Sequence, residues 1–197
     1  MQPVSNESGF GAERGTLAVD AGGWLQGAQR RPSPNHDARP QGTVVDLLVI
    51  HNISLPPGEF GGPWIDALFL GRLDPEAHPY FRDIAGVPVS AHLLIHRDGR
   101  CVQYVPCNQR AWHAGASRFA GRERCNDFSI GIELEGTDDL PFEPAQYLAL
   151  AQVARALMAA YPGITAARIA GHSDIAPGRK TDPGPHFDWG RFRELLA

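Results

Sequence analysis

The chain has 197 residues, of which 43% are hydrophobic and 20% are charged, and its formal net charge is −4. This length and composition are typical of one globular domain with a sizeable core. The slightly acidic charge, without a basic stripe, argues against nucleic-acid binding. Three cysteines are too few, and odd in number, for a disulfide framework, which favours a reducing compartment.

The first segment, residues 1–23, is rich in Gly, Ser, Asn, Glu and Ala, and its longest apolar run covers only residues 17–19. Such a run is too short for the hydrophobic part of a signal peptide or for a membrane span. We therefore expect residues 1–23 to be a disordered tail and residues 24–197 to be the folded domain. We also expect a cytoplasmic protein without membrane attachment.

Residues 43–50 are mostly apolar and β-branched, which predicts a central strand buried on both faces. This run leads directly into His51 and Asn52. The end of a buried central strand is a common position for a functional side chain. A lone histidine there is more simply explained as a core residue, so the interpretation of His51 depends on the loops that follow.

A long irregular segment occupies residues 56–80 and contains several Pro and Gly residues, with a short helix expected at residues 65–70. Irregular segments of this length in a compact domain are commonly lids or binding walls. We expect this one to form a wall or flap over the site.

Two strand-like runs, at residues 89–96 and 101–105, flank Asp98-Gly99. An Asp-Gly pair between two such runs predicts a hairpin. His92 and His96 share one face of the first strand and so form a possible metal-binding pair. No neighbouring residue in the sequence completes a ligand set for them, and we expect both to be structural.

The strand predicted at residues 128–135 alternates between an apolar face and a face of small residues and carboxylates: Phe128, Ile130, Ile132 and Leu134, against Ser129, Gly131, Glu133 and Glu135. Small residues beside carboxylates leave a groove with an acid in its floor. Glu133 is the more central carboxylate and therefore the better candidate for a general base. Glu135 lies nearer the end of the strand, and we expect it to be structural.

The C-terminal part mixes helix and strand. An amphipathic pattern predicts a helix at residues 144–161, a short strand follows at residues 168–170, and Asp188 is placed to cap a final helix. Strands dominate the first part of the chain. The pattern predicts a single α+β domain with a central, mostly β sheet flanked by helices.

The loop at residues 171–184 is too rich in Pro and Gly for a long helix or strand, and it carries His172, Lys180 and Asp182. A polar surface loop with aspartates in turns is the simpler alternative. Together with His51, however, this loop completes a ligand set of two imidazoles and one carboxylate. Three such ligands with an open fourth position are the pattern of a catalytic zinc site.

The chemistry of this zinc site predicts a hydrolase. Zinc lowers the pKa of water towards about 7. We expect Glu133 to take a proton from that water and pass it to a leaving amine. We expect Lys180 to face the oxyanion of a tetrahedral intermediate. Each part fits amide hydrolysis, although the residues by themselves indicate only a zinc hydrolase.

Four long motifs carry a family resemblance: residues 48–58, 110–115, 125–136 and 171–183. They resemble the zinc-dependent N-acetylmuramoyl-L-alanine amidases, and within that family the cytosolic anhydromuramoyl-peptide amidases of cell-wall recycling. The resemblance spans residue 24 to the C-terminus. It implies a mixed sheet with flanking helices, a fold shared with peptidoglycan-recognition proteins. It also implies the same zinc ligands, with Glu133 and Lys180 as the catalytic pair.

The resemblance also implies a substrate and its contacts. The substrate is an anhydromuramoyl peptide cut between the lactyl group and L-Ala, and no obligate protein partner is implied. Trp112 and His113 are expected against the sugar and lactyl end, and Asn52 and Arg124 against the peptide. Pro88 departs from the pattern, because some relatives carry a basic residue there. The preferred peptide therefore stays open.

Three alternatives predict different sequence features. A non-catalytic peptidoglycan-binding module of the same fold characteristically lacks a zinc ligand, whereas this sequence has all three. An exported wall-cleaving amidase predicts a signal peptide or lipid anchor, which residues 1–23 do not resemble. An unrelated zinc peptidase predicts a His-Glu-x-x-His helix, and the sequence contains no such motif.

Overall fold

The computed structural model describes residues 17–197. Leu17 and Val19 pack against the core, and Val19 pairs with Leu25 in an isolated β-bridge. Contacts with the domain therefore begin before the boundary expected at residue 24. The rest of the expected tail, residues 1–16, lies outside the described residues.

The strands of the described chain are short apart from two of seven residues, and they are β1 (Gln29–Arg30), β2 (His36–Ala38), β3 (Leu47–Ile53), β4 (Leu93–Ile95), β5 (Cys101–Gln103), β6 (Gln109–Ala111), β7 (Arg118–Phe119), β8 (Arg122–Glu123), β9 (Ser129–Glu135) and β10 (Ile169–Gly171). The α-helices are α1 (Trp64–Phe69), α2 (Pro144–Ala160), α3 (His172–Ile175) and α4 (Trp189–Leu196). Short 3-10 helices occupy Pro79–Asp83, Cys125–Asp127 and Ala166–Arg168.

Six of these strands form one mixed sheet in the order β1-β5-β4-β9-β3-β10. Strand β3 lies between two parallel neighbours, β9 and β10, and β4 is parallel to β9. Strands β4 and β5 are antiparallel and form the hairpin expected around Asp98-Gly99. The mixed sheet with helices packed on it confirms the predicted α+β fold.

The two faces of the central strands differ. Helix α2 covers one face, and the other face carries polar side chains such as His51. Leu48 and Ile50 of β3 belong to the same buried cluster as Leu150 and Val153 of α2. The alternate residues of β3 point the other way, so His51 shares its face with Val49. Strand β3 runs on to Ile53, which places His51 inside the strand rather than just beyond it.

Helix boundaries follow local capping chemistry. Helix α2 begins with Pro144 in its first turn and with a capping box in which the N–H of Glu143 donates to the Gln146 side chain at 3.0 Å. The Asp188 carboxylate accepts the backbone N–H of Arg191 at 2.9 Å and caps α4 as expected. The loop predicted after β10 differs in one respect, because His172 begins the short helix α3.

The irregular segment at residues 56–80 packs over the sheet face that carries the polar groups. Leu68 and Phe69 of α1 form a buried cluster with Leu94 of β4 and Tyr104. The segment therefore forms a wall beside the sheet, as predicted. None of the helices found between residues 17 and 197 combines the length and hydrophobicity needed to cross a membrane.

Candidate active site

Three side chains converge where β3 and β10 end. Strand β3 supplies His51, and the parallel strand β10 leads into His172 at the start of α3. Asp182 comes from the following loop, which the backbone N–H of Ser173 ties back by donating to the Asp182 carbonyl at 2.9 Å. Within residues 17–197, these three form the group of His, Cys and acidic side chains with the spacing of a metal site.

The donor atoms of this group match the geometry of a zinc ion. The Nδ1 atoms of His51 and His172 are 3.0 Å apart, and each lies 3.0 Å from Oδ2 of Asp182. Ligand atoms around a tetrahedral zinc ion with bonds of about 2.0 Å are about 3.3 Å apart. Two imidazoles and one carboxylate are also a donor set that zinc favours.

The protonation states also suit metal binding. Burial lowers the pKa of His51 to about 4, so its imidazole is neutral at pH 7. Burial raises the pKa of Asp182, but the contacts with His172 and His51 outweigh that effect and leave this pKa below its ordinary value. Metal ligands must be deprotonated, and both groups satisfy this condition at neutral pH.

Glu133 lies beside the three ligands. It is the register partner of His51 on the adjacent parallel strand β9, so both side chains are on the same face of the sheet. Its Oε2 atom is buried and has no hydrogen-bond partner among residues 17–197. Burial, reinforced by the negative charge of Asp182, raises the pKa of Glu133 well above its usual value. A buried carboxyl group of this kind can accept and return a proton.

The cleft at these residues has a volume of about 370 Å³. His51, Glu133, His172 and Asp182 line it together with Lys180, so the structure brings the predicted zinc ligands and the predicted catalytic pair into one cavity. The backbone N–H of Lys180 donates to the carbonyl of Ala176 at 3.1 Å. Lys180 is exposed and lines the cleft together with the two carboxylates of Glu133 and Asp182.

Trp112 forms part of the cleft wall and is held by a residue that sequence reasoning missed. Its indole Nε1–H donates to Oδ1 of Asp37 at 3.1 Å. The same carboxylate accepts two hydrogen bonds from Arg110, at 2.7 and 2.5 Å. Asp37 lies in β2, which pairs with β6 just before Trp112. No local sequence signal links the two residues, because 75 positions separate them.

Asn52 and His113 also line the cleft, but protein contacts already engage the side-chain nitrogen of Asn52 and both ring nitrogens of His113. The Asn52 side-chain amide donates to Oδ1 of Asp138 at 2.7 Å and to the carbonyl of Pro183 at 3.1 Å. Both ring nitrogens of His113 lie within hydrogen-bond distance of protein groups, at His51 and at Ser129. Asn52 retains its amide oxygen for a substrate contact, whereas His113 retains only its ring surface.

Arg124 does not line this cleft. Its exposed side chain borders a neighbouring depression with Arg118, Glu123 and Arg179. The nearest carboxylate contact is with Asp127 at 3.4 Å. A role for Arg124 in peptide binding therefore stays a prediction that requires a substrate long enough to leave the cleft.

The histidine pair of the first hairpin strand has structural partners. His92 Nδ1 accepts the backbone N–H of Gly131 at 3.0 Å, and its Nε2 lies 3.1 Å from the carbonyl of Gln109. His96 Nδ1 lies 3.2 Å from Oε2 of Glu135, whose other oxygen accepts the backbone N–H of Gly61 at 2.6 Å. Glu135 thus ties the wall segment to the sheet.

Comparison with known proteins is consistent across sequence and structure. The family model described as N-acetylmuramoyl-L-alanine amidase matches residues 41–185. The chain is 66% identical, over 175 residues, to the Escherichia coli K12 protein named 1,6-anhydro-N-acetylmuramyl-L-alanine amidase AmpD. That match covers 89% of this chain and 95% of the relative.

Solved structures agree. A crystal structure of a selenomethionine derivative of AmpD superimposes with a TM-score of 0.87 and 65% identity, covering 89% of this chain and 98% of the other. The amidase AmiD from E. coli, solved with anhydro-N-acetylmuramic acid-L-Ala-D-γ-Glu-L-Lys as substrate, superimposes with a TM-score of 0.57 and 30% identity. This match covers 91% of the chain and 65% of AmiD.

Proposed function

The chain belongs to the N-acetylmuramoyl-L-alanine amidase family, and on that premise we propose that it is a zinc-dependent enzyme acting on 1,6-anhydro-N-acetylmuramoyl peptides in peptidoglycan recycling. The bond cut is the amide between the lactyl group and L-Ala. One observation carries the proposal: the donor atoms of His51, His172 and Asp182 meet within 3.0 Å of one another, in a cleft that also holds Glu133. The name of the E. coli relative states the same substrate bond.

The mechanism assigns a separate task to each residue of the cleft. His51, His172 and Asp182 would hold a zinc ion, which would supply Lewis-acid chemistry to the scissile carbonyl and to water. Glu133 takes the proton from the attacking water and delivers it to the leaving amine of L-Ala, a cycle suited to a carboxyl group whose pKa is raised. Lys180 places its ammonium group where negative charge develops on the carbonyl oxygen. The products are the anhydromuramoyl sugar acid and the free peptide.

The surroundings of the site support the proposal that both ends of this substrate bind beside the candidate metal site. Trp112 and Tyr80, with Leu68 and Phe69 of α1, give one side of the cleft an aromatic and aliphatic surface, which suits the carbon face of a sugar ring. On its other side the cleft continues into a depression of about 750 Å³. The charged residues of this depression are Asp138, Asp139, Arg179, Lys180 and Asp182. Charges of both signs suit a peptide with carboxylate and amine groups.

We further propose that the enzyme works in the cytoplasm on fragments of turned-over wall. The three cysteines support this assignment, because Cys101, Cys107 and Cys125 are buried and free, as is usual in a reducing compartment. Fractionation of cells that produce the full chain, followed by immunodetection, tests the assignment. Recovery in the periplasmic fraction contradicts it.

The experiment that tests the function is turnover of anhydromuramoyl-L-Ala-D-γ-Glu-diaminopimelate, followed by mass spectrometry. The purified protein is treated with a chelator and then supplied with zinc or with magnesium. We expect release of free tripeptide that stops with the chelator and returns only with a transition metal such as zinc. Zinc-loaded protein that binds the muropeptide without cleaving it overturns the enzyme assignment and favours the non-catalytic binding module.

A further inference from the structure

His113 stands directly behind the metal ligand His51. Its Nδ1 atom lies 2.9 Å from Nε2 of His51, and the two rings are nearly perpendicular with centroids 5.0 Å apart. On its other side, Nε2 of His113 lies 3.1 Å from Oγ of Ser129. The three side chains therefore form a continuous chain of hydrogen bonds that leads away from the candidate metal.

The direction of these hydrogen bonds follows from the role of His51. Its Nδ1 atom is the one that faces His172 and Asp182, so Nδ1 must carry no proton when it binds a metal. A neutral imidazole has one proton, which then lies on Nε2 and is donated to Nδ1 of His113. His113 in turn keeps its own proton on Nε2 and donates it to Ser129.

Strand β9 leaves room for this arrangement. A Cβ atom at Gly131 would lie 2.5 Å from Cγ and Nδ1 of His113, which is closer than real Cβ contacts. One face of β9 carries Ser129, Gly131 and Glu133. Ser129 accepts the hydrogen bond from Nε2 of His113, and Gly131 leaves space for the His113 ring. Glu133 lies beside His51. The small residues of the predicted groove thus have a specific function: they seat a histidine.

The loop that carries His113 is itself held in place. The side-chain oxygen of Asn126 accepts the backbone N–H groups of His113 and Ala114 at 3.1 and 2.7 Å. The carbonyl of Ala114 lies 3.2 Å from Nε2 of His172. One short loop therefore supplies an acceptor to the outer nitrogen of each histidine ligand.

We propose that His113 is a positioning residue that fixes the tautomer and ring orientation of His51 for zinc, and that it is not a polar contact for the substrate. The inference rests on the proposed zinc centre. Partners of this kind, in hydrogen-bond contact with a metal-bound histidine, typically change metal affinity 10- to 100-fold when they are removed. Both ring nitrogens of His113 are engaged by the protein, which leaves no polar atom for the sugar.

The test compares two substitutions of His113 in the full chain. His113→Phe keeps a ring but removes the acceptor, whereas His113→Asn places an amide oxygen near the position of Nδ1. Zinc affinity is measured by competition with a chromophoric chelator, without substrate. We expect zinc binding about 10- to 100-fold weaker in His113→Phe, and recovered in part by His113→Asn. The exposed His186 provides matched Phe and Asn control variants, for which we expect unchanged affinity.

A second measurement reads the tautomers directly in the zinc-loaded wild-type protein by ¹⁵N-detected histidine NMR. We expect the proton of His51 on Nε2 and that of His113 on Nε2. A proton on Nδ1 of His113 overturns the inference, and so does a folded His113→Phe variant that binds zinc as tightly as wild type. If His113→Phe does not fold, the Asn variant and the NMR measurement still decide.

The same variants separate this inference from the alternative of a substrate contact. A substrate contact predicts unchanged zinc affinity and a raised KM at saturating zinc, whereas a positioning role predicts weaker zinc binding and a nearly unchanged KM. Failure of the wild-type protein to bind zinc would contradict the proposed function itself. Normal zinc binding and turnover in His113→Phe would contradict only the role of His113.

Discussion

His51 and Glu133 are register partners on the adjacent parallel strands β3 and β9. Because paired residues in a sheet point to the same face, the pairing places the proposed metal ligand His51 beside a buried carboxyl group without any loop between them. Both strands are buried in the centre of the sheet. The distance between the proposed ligand and the proposed proton acceptor is therefore set by the pairing of two buried central strands.

Replacing Glu133 by Gln should separate proton transfer from metal binding. The amide cannot take a proton from water, so we expect kcat to fall by about 10²- to 10⁴-fold. Stoichiometric zinc should remain, because Glu133 is not among the three ligands. The matched control is Glu135→Gln, two residues along the same strand face, which should retain turnover within a few-fold. Equal losses in both variants would contradict the assignment.

Replacing Asp182 by Asn should remove the only charged ligand of the group. We expect zinc to be lost on dialysis and activity to be lost with it. The two remaining imidazoles would bind the ion more weakly, because no negatively charged ligand would compensate its charge. Metal analysis and turnover of the muropeptide check both effects. Asp174, whose carboxylate accepts the backbone N–H of Gly171 at 2.7 Å, gives the control: Asp174→Asn should keep its zinc.

Replacing Asp37 by Ala should loosen Trp112 while leaving the metal site intact. The indole loses its hydrogen bond to Asp37, a loss of about 1 kcal/mol in positioning. We expect KM to rise about 5- to 10-fold, with kcat and zinc content nearly unchanged. Asp127→Ala removes the other carboxylate partner of Arg110 without touching Trp112. A KM that rises equally in both variants would show that Arg110, and not Trp112, is responsible.

Acidification should destabilise the metal-free protein below pH 6.5. Burial holds the pKa of His51, His92 and His113 below the ordinary value of 6.5. The unfolded chain therefore takes up protons that the folded chain does not, and the free energy of unfolding falls as pH falls below 6.5. Glu133 acts in the opposite sense above its ordinary value of 4.5, because burial raises its pKa. Three histidines lower the stability as pH falls and one carboxyl group raises it, so we expect a net loss of stability.

Urea unfolding at pH 7.5 and 5.5, with a chelator present, measures this effect. We expect a lower free energy of unfolding at pH 5.5. His92→Asn offers a control away from the ligands, because an amide oxygen can replace Nδ1 as the acceptor of the Gly131 N–H. The difference between the two pH values should shrink in this variant. Identical stability of the wild-type protein at both pH values would contradict the prediction.

Local pattern determined much of the fold. The alternation in residues 128–135 placed Glu133 on a face of small residues, and strand β9 has that alternation. The apolar run before His51 predicted the central strand β3, and the capping residue of α4 was correct. These features follow from side-chain periodicity and from hydrogen bonds between residues close in sequence, so the sequence alone contains them.

The tertiary structure decided how separate segments meet. Packing of the chain brought Asp37 to Trp112, set His51 opposite Glu133, and placed both nitrogens of His113 against protein atoms. It also left Arg124 outside the cleft. Strand register and loop packing depend on how the whole core is filled, and no local pattern encodes them. The sequence by itself determined which residues are candidates for the chemistry, and the tertiary structure decided which of them lie together.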